Sequence, residues 1–231
     1  MPHREPIIVV SLGGSLISPA EGIDIRYLRR FRDLVVSRIK KGFRFVLICG
    51  GGATARNYQK AAREVTDLRR DDLDWIGIHA TRLNGHLLRT IFRVDAHPRV
   101  IKDPTRAVDW SEPILVAAGW KPGASTDYDA VLIAKRLKAK VVINLSNIKT
   151  LFDRDPKKYP DAKPIREISW KDFRKIVGSK WDPGANLPFD PVASRVAQKI
   201  NLRVIIADGR DLKNLDKILS GQPFTGSVIG I

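Results

Sequence analysis

The chain has 231 residues, 43% of them hydrophobic, with 41 Lys and Arg against 25 Asp and Glu for a formal charge of +16. That length suits one large domain or one domain with two lobes, and charges scattered through apolar patterns exclude wholesale disorder. A single cysteine, Cys49, excludes an internal disulfide framework, no Cys/His cluster has zinc-ligand spacing, and no apolar run is long enough to cross a bilayer.

The opening residues run straight into a strand-like segment without a signal-peptide apolar region, so a reducing cytoplasm is the expected compartment. Ile7–Ser11 reads as the first strand and leads into Ser11-Leu12-Gly13-Gly14-Ser15. Paired glycines permit positive φ and let backbone N–H groups approach an anion, although a tight strand-to-helix turn accounts for them equally well. Ile25, Leu28, Phe31, Leu34 or Val35, and Ile39 mark a helix that stops at Gly42.

Arg44–Cys49 is the second strand, followed by Gly50-Gly51-Gly52 and a helix that opens on Ala53-Thr54-Ala55-Arg56 and uses Ala62 and Val65. Gly50, Gly52 and Ala55 also fit the loose G-x-G-x-x-A dinucleotide fingerprint, which keeps a nicotinamide-dependent oxidoreductase open as a rival. Against it, the fingerprint is short and follows the second strand instead of the first. Ile76, Ala80, Leu83, Leu87 and Ile91 predict a third helix, and the segment from Pro98 to Pro113 is polar and turn-rich.

Ile114–Ala118 is the next strand, and Gly123-Ala124-Ser125-Thr126-Asp127 opens a helix through Ala130, Ile133, Ala134 and Leu137. Two hydroxyls and a carboxylate there suit an N-cap as well as a ligand. Val141–Leu145 is followed by Asn147, then Phe152, Asp155, Pro156, Lys157 and Lys158, an aromatic and lysines fit for a base and a polyphosphate or for a solvated turn. Between Phe152 and Pro191 prolines dominate and only Trp170–Ile176 reads as a helix; long irregular segments of this kind tend to be lids or binding loops. Asp190 precedes Pro191 as a natural N-cap for a helix through Val192, Val196 and Ile200, and Arg203–Ala207 is the last strand.

Strand–helix alternation with continuously apolar strands predicts an α/β fold with a mainly parallel sheet covered on both faces. Ligands in such sheets gather at the carboxyl ends of the strands, where these motifs fall. Two glycine loops supply the two phosphate cradles a nucleotide kinase needs, and the absence of G-x-x-x-x-G-K-[ST] excludes a P-loop kinase. The basic residues are dispersed over helical patterns, with no basic tail and no RNA-binding aromatic signature, so solvated helix faces are the preferred reading and nucleic acid the less favoured partner.

Taken in order, Gly13-Gly14-Ser15, Gly50-Gly51-Gly52 with Arg56, Asp74-Trp75-Ile76-Gly77-Ile78 through Thr81-Arg82-Leu83-Asn84, Ser125-Thr126-Asp127, Asn147 with Asp155-Pro156-Lys157-Lys158, and Asp190-Pro191 cover nearly the whole chain. The set resembles the amino acid kinase family, and within it the archaeal-type UMP kinases. That resemblance implies a three-layer αβα sandwich, a single domain over 1–231 with an acceptor lobe at about 1–120 and an ATP lobe at 121–231, and a homo-oligomer, typically a hexamer. It implies phosphorylation of UMP by ATP with Mg²⁺. Gly13 and Gly14 would line the transfer site with Asp127 and Asp190, the latter also orienting Mg²⁺ indirectly. Gly51, Gly52, Arg56, Asp74 and Thr126 would hold UMP, and Asn147, Lys149, Phe152, Asp155 and Lys157 would form the ATP side.

Two positions depart from the family pattern. Ser11 stands where many amino acid kinases carry a lysine, and Lys149-Thr150-Leu151-Phe152 stands where a D-G-V-Y stretch is usual. Alternatives are another acceptor within the family (carbamate, acetylglutamate, aspartate or isopentenyl phosphate), and a non-catalytic nucleotide- or nucleic-acid-binding homologue.

Overall fold

The computed structural model describes residues 7–154, 156, 158–178 and 187–230. Asp155 and Lys157, both expected on the ATP side, lie outside them.

The five predicted strands form as β1 (Ile7–Leu12), β2 (Arg44–Cys49), β3 (Ile114–Ala117), β4 (Val141–Ser146) and β8 (Arg203–Asp208). They lie side by side in the order β3-β2-β1-β4-β8, all parallel. Two short strands extend the sheet to seven: β9 (Ser227–Ile229) pairs antiparallel with β8, and β7 (Glu167–Ile168) pairs parallel with β9. A separate hairpin joins β5 (Leu151–Phe152) to β6 (Pro164–Ile165). Strand order reverses between β1 and β4, and in an open α/β sheet that switch point is where a crevice opens at the carboxyl ends.

Strand side chains alternate between faces, and both faces are buried. Val10, Leu12, Leu47 and Ile143 pack under α2 (Ile25–Ile39), α8 (Leu212–Leu219) and the end of α4 (Arg70–Ile91). Val9, Val46, Val142 and Val204 pack under α5 (Thr126–Leu137), α6 (Trp170–Val177) and α7 (Pro191–Lys199). The result is the expected αβα sandwich. A short α1 (Gly14–Ile17) and α3 (Gly52–Val65) begin at the two glycine loops. Buried Arg38 clamps α2 to α8 through Asp216 and Ser220.

The polar segment after α4 runs beside β3, touching it through isolated bridges at Ala96 and Ile101. Among the described residues no helix is long and apolar enough to cross a membrane.

Candidate active site

The two glycine loops meet backbone to backbone. A Cβ on Gly14 would collide with Gly52 N and lie 2.6 Å from Gly50 C, and one on Gly52, whose φ is +64°, would lie 2.6 Å from Ser18 O. Neither position has room for a side chain, so part of what the glycines do is let β1 and β2 end against each other. Gly13 and Gly50 spend their N–H groups inside the fold, donating to Leu145 O at 2.8 Å and Leu12 O at 2.9 Å. The amides of Gly14, Ser15, Gly51 and Gly52 donate to no backbone carbonyl among the described residues. They are unspent N–H donors on two touching loops, at the positive end of α3, an arrangement suited to phosphate oxygens. Asn84, buried on α4, fixes the second loop by donating to Gly50 O at 2.8 Å and Gly51 O at 3.2 Å.

A knot of carboxylates lies against Ser11, two residues before Gly13. Ser11 and Asn144 are register partners on β1 and β4, and both face α5. Ser11 Oγ donates to Asp127 Oδ1 at 3.1 Å and Asn144 Nδ2 donates to the same oxygen at 2.8 Å. Asp190 N–H donates to Asp127 Oδ2 at 3.3 Å. Asp190 is the N-cap of α7, accepting from Val192 N and Ala193 N on one oxygen, while Ser125 Oγ donates to the other. Ser125 in turn caps α5 by accepting from Tyr128 N. The N-cap readings of Ser125 and Asp190 are therefore correct, and the same carboxylates also join β1, β4, α5 and α7 at one point.

Withdrawal of its carboxyl from water pushes Asp127 up to about 7, with the Asp190 carboxylate adding to the shift and hydrogen bonds from Ser11, Asp190 and Asn144 opposing it. Asp129, two residues further along α5, is also pushed up to about 7 by burial. Its Oδ2 accepts from Trp120 N at 3.2 Å while its buried Oδ1 has no partner among the described residues.

On the expected acceptor side, Arg56 stands exposed one turn beyond Gly52, with no side-chain partner among the described residues. Asp74, in the first turns of α4, accepts from Gly123 N at 2.8 Å, so one of its oxygens already ties α4 to the loop before α5. Thr126 is the first residue of α5 and its hydroxyl is unbonded among the described residues. On the expected donor side, Asn147 and Lys149 are exposed just past β4. Arg210 grips Asp208 at the end of β8 and holds that carboxyl below its ordinary range, with Lys149 adding a smaller pull. Phe152 is half-buried in the hairpin opposite Pro164.

Gly13, Gly14, Gly51 and Gly52 are thus brought together, with Asp127 and Asp190 tied to the same strand end through Ser11; Asn147 follows in sequence two residues after Leu145, whose carbonyl receives Gly13 N–H. Asn144, Asp129 and Asn84 carry structural weight at the site without having been assigned a role there by the sequence. A polar Asn144 inside the apolar run Val141–Leu145 was the available signal.

Among the described residues no group of three or more His, Cys, Asp or Glu side chains could hold a metal ion. The oxygens of Asp127 and Asp190 already accept internal hydrogen bonds. That donor set does not fit a magnesium ion held chiefly by protein.

A model of the amino acid kinase family matches residues 6–208. The chain is 35% identical over 219 residues to a uridylate kinase of Thermoplasma volcanium, covering 94% of each. It is 30% identical over 231 residues to a uridylate kinase of Hyperthermus butylicus, covering 96% of this chain and 98% of the relative. A crystal structure of uridylate kinase from Archaeoglobus fulgidus superposes with a TM-score of 0.79 at 31% identity, covering 96% of this chain and 99% of that one.

Proposed function

The chain belongs to the amino acid kinase family, and from that premise we propose that it is a cytoplasmic kinase that transfers the γ-phosphoryl group of ATP to the phosphate of UMP, giving UDP and ADP. A UMP phosphate oxygen forms a bond to the γ-phosphorus as the bond to the β,γ-bridging oxygen breaks. The observation that carries the reading is the set of unspent amides where the two glycine loops touch. Two loops with free amides and no side chain between them suit two neighbouring phosphates.

Phosphoryl transfer asks mainly for alignment and for neutralisation of charge on the transferring oxygens. Gly14 and Ser15 amides would face the transferring group, Gly51 and Gly52 amides with Arg56 would hold the UMP phosphate, and the free oxygen of Asp74 and the Thr126 hydroxyl would contact the acceptor. Asn147, Lys149 and Phe152 would form the donor side, with Asp155 and Lys157 assigned there by resemblance. Asp127 and Asp190 would position the loops that flank the transfer. An ionised UMP phosphate needs no general base. Magnesium enters with ATP as part of the substrate.

One sheet runs through both halves, which supports a single domain with an acceptor half to about residue 120 and a donor half beyond it. Exposed Tyr58 and Leu83 on α3 and α4 support assembly of further copies, a hexamer by resemblance. The dinucleotide reading of Gly50, Gly52 and Ala55 loses its support, because those glycines are explained by their packing on Gly14. The test is product identification: incubation with ATP, Mg²⁺ and UMP is expected to yield UDP and ADP in equal amounts. ADP release without UDP would sink the proposal.

A further inference from the structure

Most of the basic residues behind the charge of +16 lie outside the proposed active site, and one unpaired group of them sits at the other end of the molecule. No acidic residue occurs between Asp129 and Asp153 or between Asp190 and Asp208. The fold brings the tails of these two stretches together where α5 and α7 end and β4 and β8 begin, the end of the sheet opposite the glycine loops. There Lys135, Lys138, Lys140 and Asn201 surround a concavity of about 500 Å³ over Ala139 and Ile200. The three lysines are exposed and none is ion-paired among the described residues. Lys199 and Arg203, both exposed, flank it in sequence.

The bland account is that lysines merely complement helix carboxyl ends. Two such ends present about one negative charge together, at roughly half a charge each, against three lysines at the rim. The end carbonyls are also already bonded by main chain: Ala134 O accepts from Ala139 N at 2.9 Å and Ala197 O from Leu202 N at 3.0 Å. Backbone geometry points the same way. Among the described residues, the non-glycine positions with positive φ are Lys138 at 54° and Asn201 at 49°, and both line this concavity. Asparagine is at home in that conformation, whereas lysine at a left-handed helix cap is strained where glycine would be relaxed. A lysine in that conformation costs stability that glycine would not, which points to a use for its charge.

We propose that this end of the molecule is a docking surface for the phosphodiester backbone of duplex nucleic acid. With lysines at the rim, small apolar residues on the floor and no aromatic side chain to stack on a base, it would bind phosphates without reading sequence. The position, opposite the glycine loops, leaves the kinase site open while a duplex is bound.

The experiment is fluorescence anisotropy of labelled RNA and DNA duplexes with the full chain, titrated over about 50–200 mM salt. Three proteins are compared: wild type, Lys138→Gly, and the triple variant Lys135→Ala, Lys138→Gly, Lys140→Ala. Each lysine that contacts a phosphate contributes about 0.9 to the slope of log affinity against log salt, so Lys138→Gly is expected to lower the slope by about that amount and the triple variant by about 2.7. Lys138→Gly should melt at the same or a higher temperature than wild type, and kinase turnover of both variants should be unchanged. The two duplex arms decide whether RNA or DNA is the ligand.

Absence of duplex binding at low salt would overturn the proposal, as would a triple variant with the wild-type slope. UMP or ATP competing as strongly as duplex would assign the concavity to small phosphate esters and also overturn it. A Lys138→Gly protein that melts lower and binds like wild type would show the lysine to be a cap and nothing more. Absence of UMP kinase activity in the wild-type protein would defeat the proposed function and leave the duplex-binding outcomes readable, so the two fail separately. Loss of turnover in the variants alone would overturn the separation of this surface from the kinase site.

Discussion

Arg56 stands one turn past Gly52 with no internal partner among the described residues, so its guanidinium is free to meet a ligand. A charge-assisted hydrogen bond to phosphate contributes about 1.5–3 kcal/mol. Arg56→Ala is therefore expected to raise the apparent KM for UMP by roughly ten- to 150-fold, since about 1.4 kcal/mol is a factor of ten. An equal loss of affinity for uridine, measured as a competitive inhibitor against UMP, would show that Arg56 does not touch phosphate. The buried carboxyls give a pH signature. Asp127 and Asp129 rise from 3.8 to about 7 on folding. Between those values the folded chain holds protons the unfolded chain has released, so their contribution to stability is full below about pH 4 and is lost as pH rises through about 7. Asp129→Asn removes one of the two groups. Its urea midpoint should fall less between pH 4 and pH 8 than the wild-type midpoint does, and an identical fall in both proteins would contradict the assignment.

At the scale of elements, β1 and β2 can end in contact only because residues 14 and 52 have no side chains. Gly14→Ala puts a Cβ against backbone that has no rotamer to yield, and overpacking of this kind costs about 1–3 kcal/mol or more. Gly123, with φ +77° and nothing within 4 Å of a built Cβ, is the control, where alanine should cost only about 1 kcal/mol of backbone strain. Denaturation midpoints of the two variants check the order, and equal losses would mean the loops do not pack as described.

The same elements show what the sequence made legible. The five long strands were readable because buried parallel strands are continuous apolar runs bounded by turns. By contrast β5, β6, β7 and β9 are two or three residues long, too short to carry a period. The short α1 has the same excuse, but α8 does not: Asp211, Leu212, Leu215 and Leu219 carry a cap and an apolar stripe, yet it is absent from the predicted elements. The glycines of the site were visible as motifs, although their mutual packing was not. The Asp127–Asp190 contact joins residues 63 positions apart, and no local pattern encodes such a pairing.

For the molecule as a whole, the seven-stranded sheet has two chemically distinct ends. Helix amino ends and unspent amides collect where the strands finish, and unpaired lysines collect where β4 and β8 start. The first end carries the central claim, that the acceptor is a nucleoside monophosphate and specifically UMP. The direct measurement is ADP release with Mg²⁺ and ATP, compared across UMP, CMP, carbamate, acetylglutamate, aspartate and isopentenyl phosphate at equal concentration. UMP is expected to give the highest kcat/KM of the set, and any other acceptor ranking above it would contradict the account.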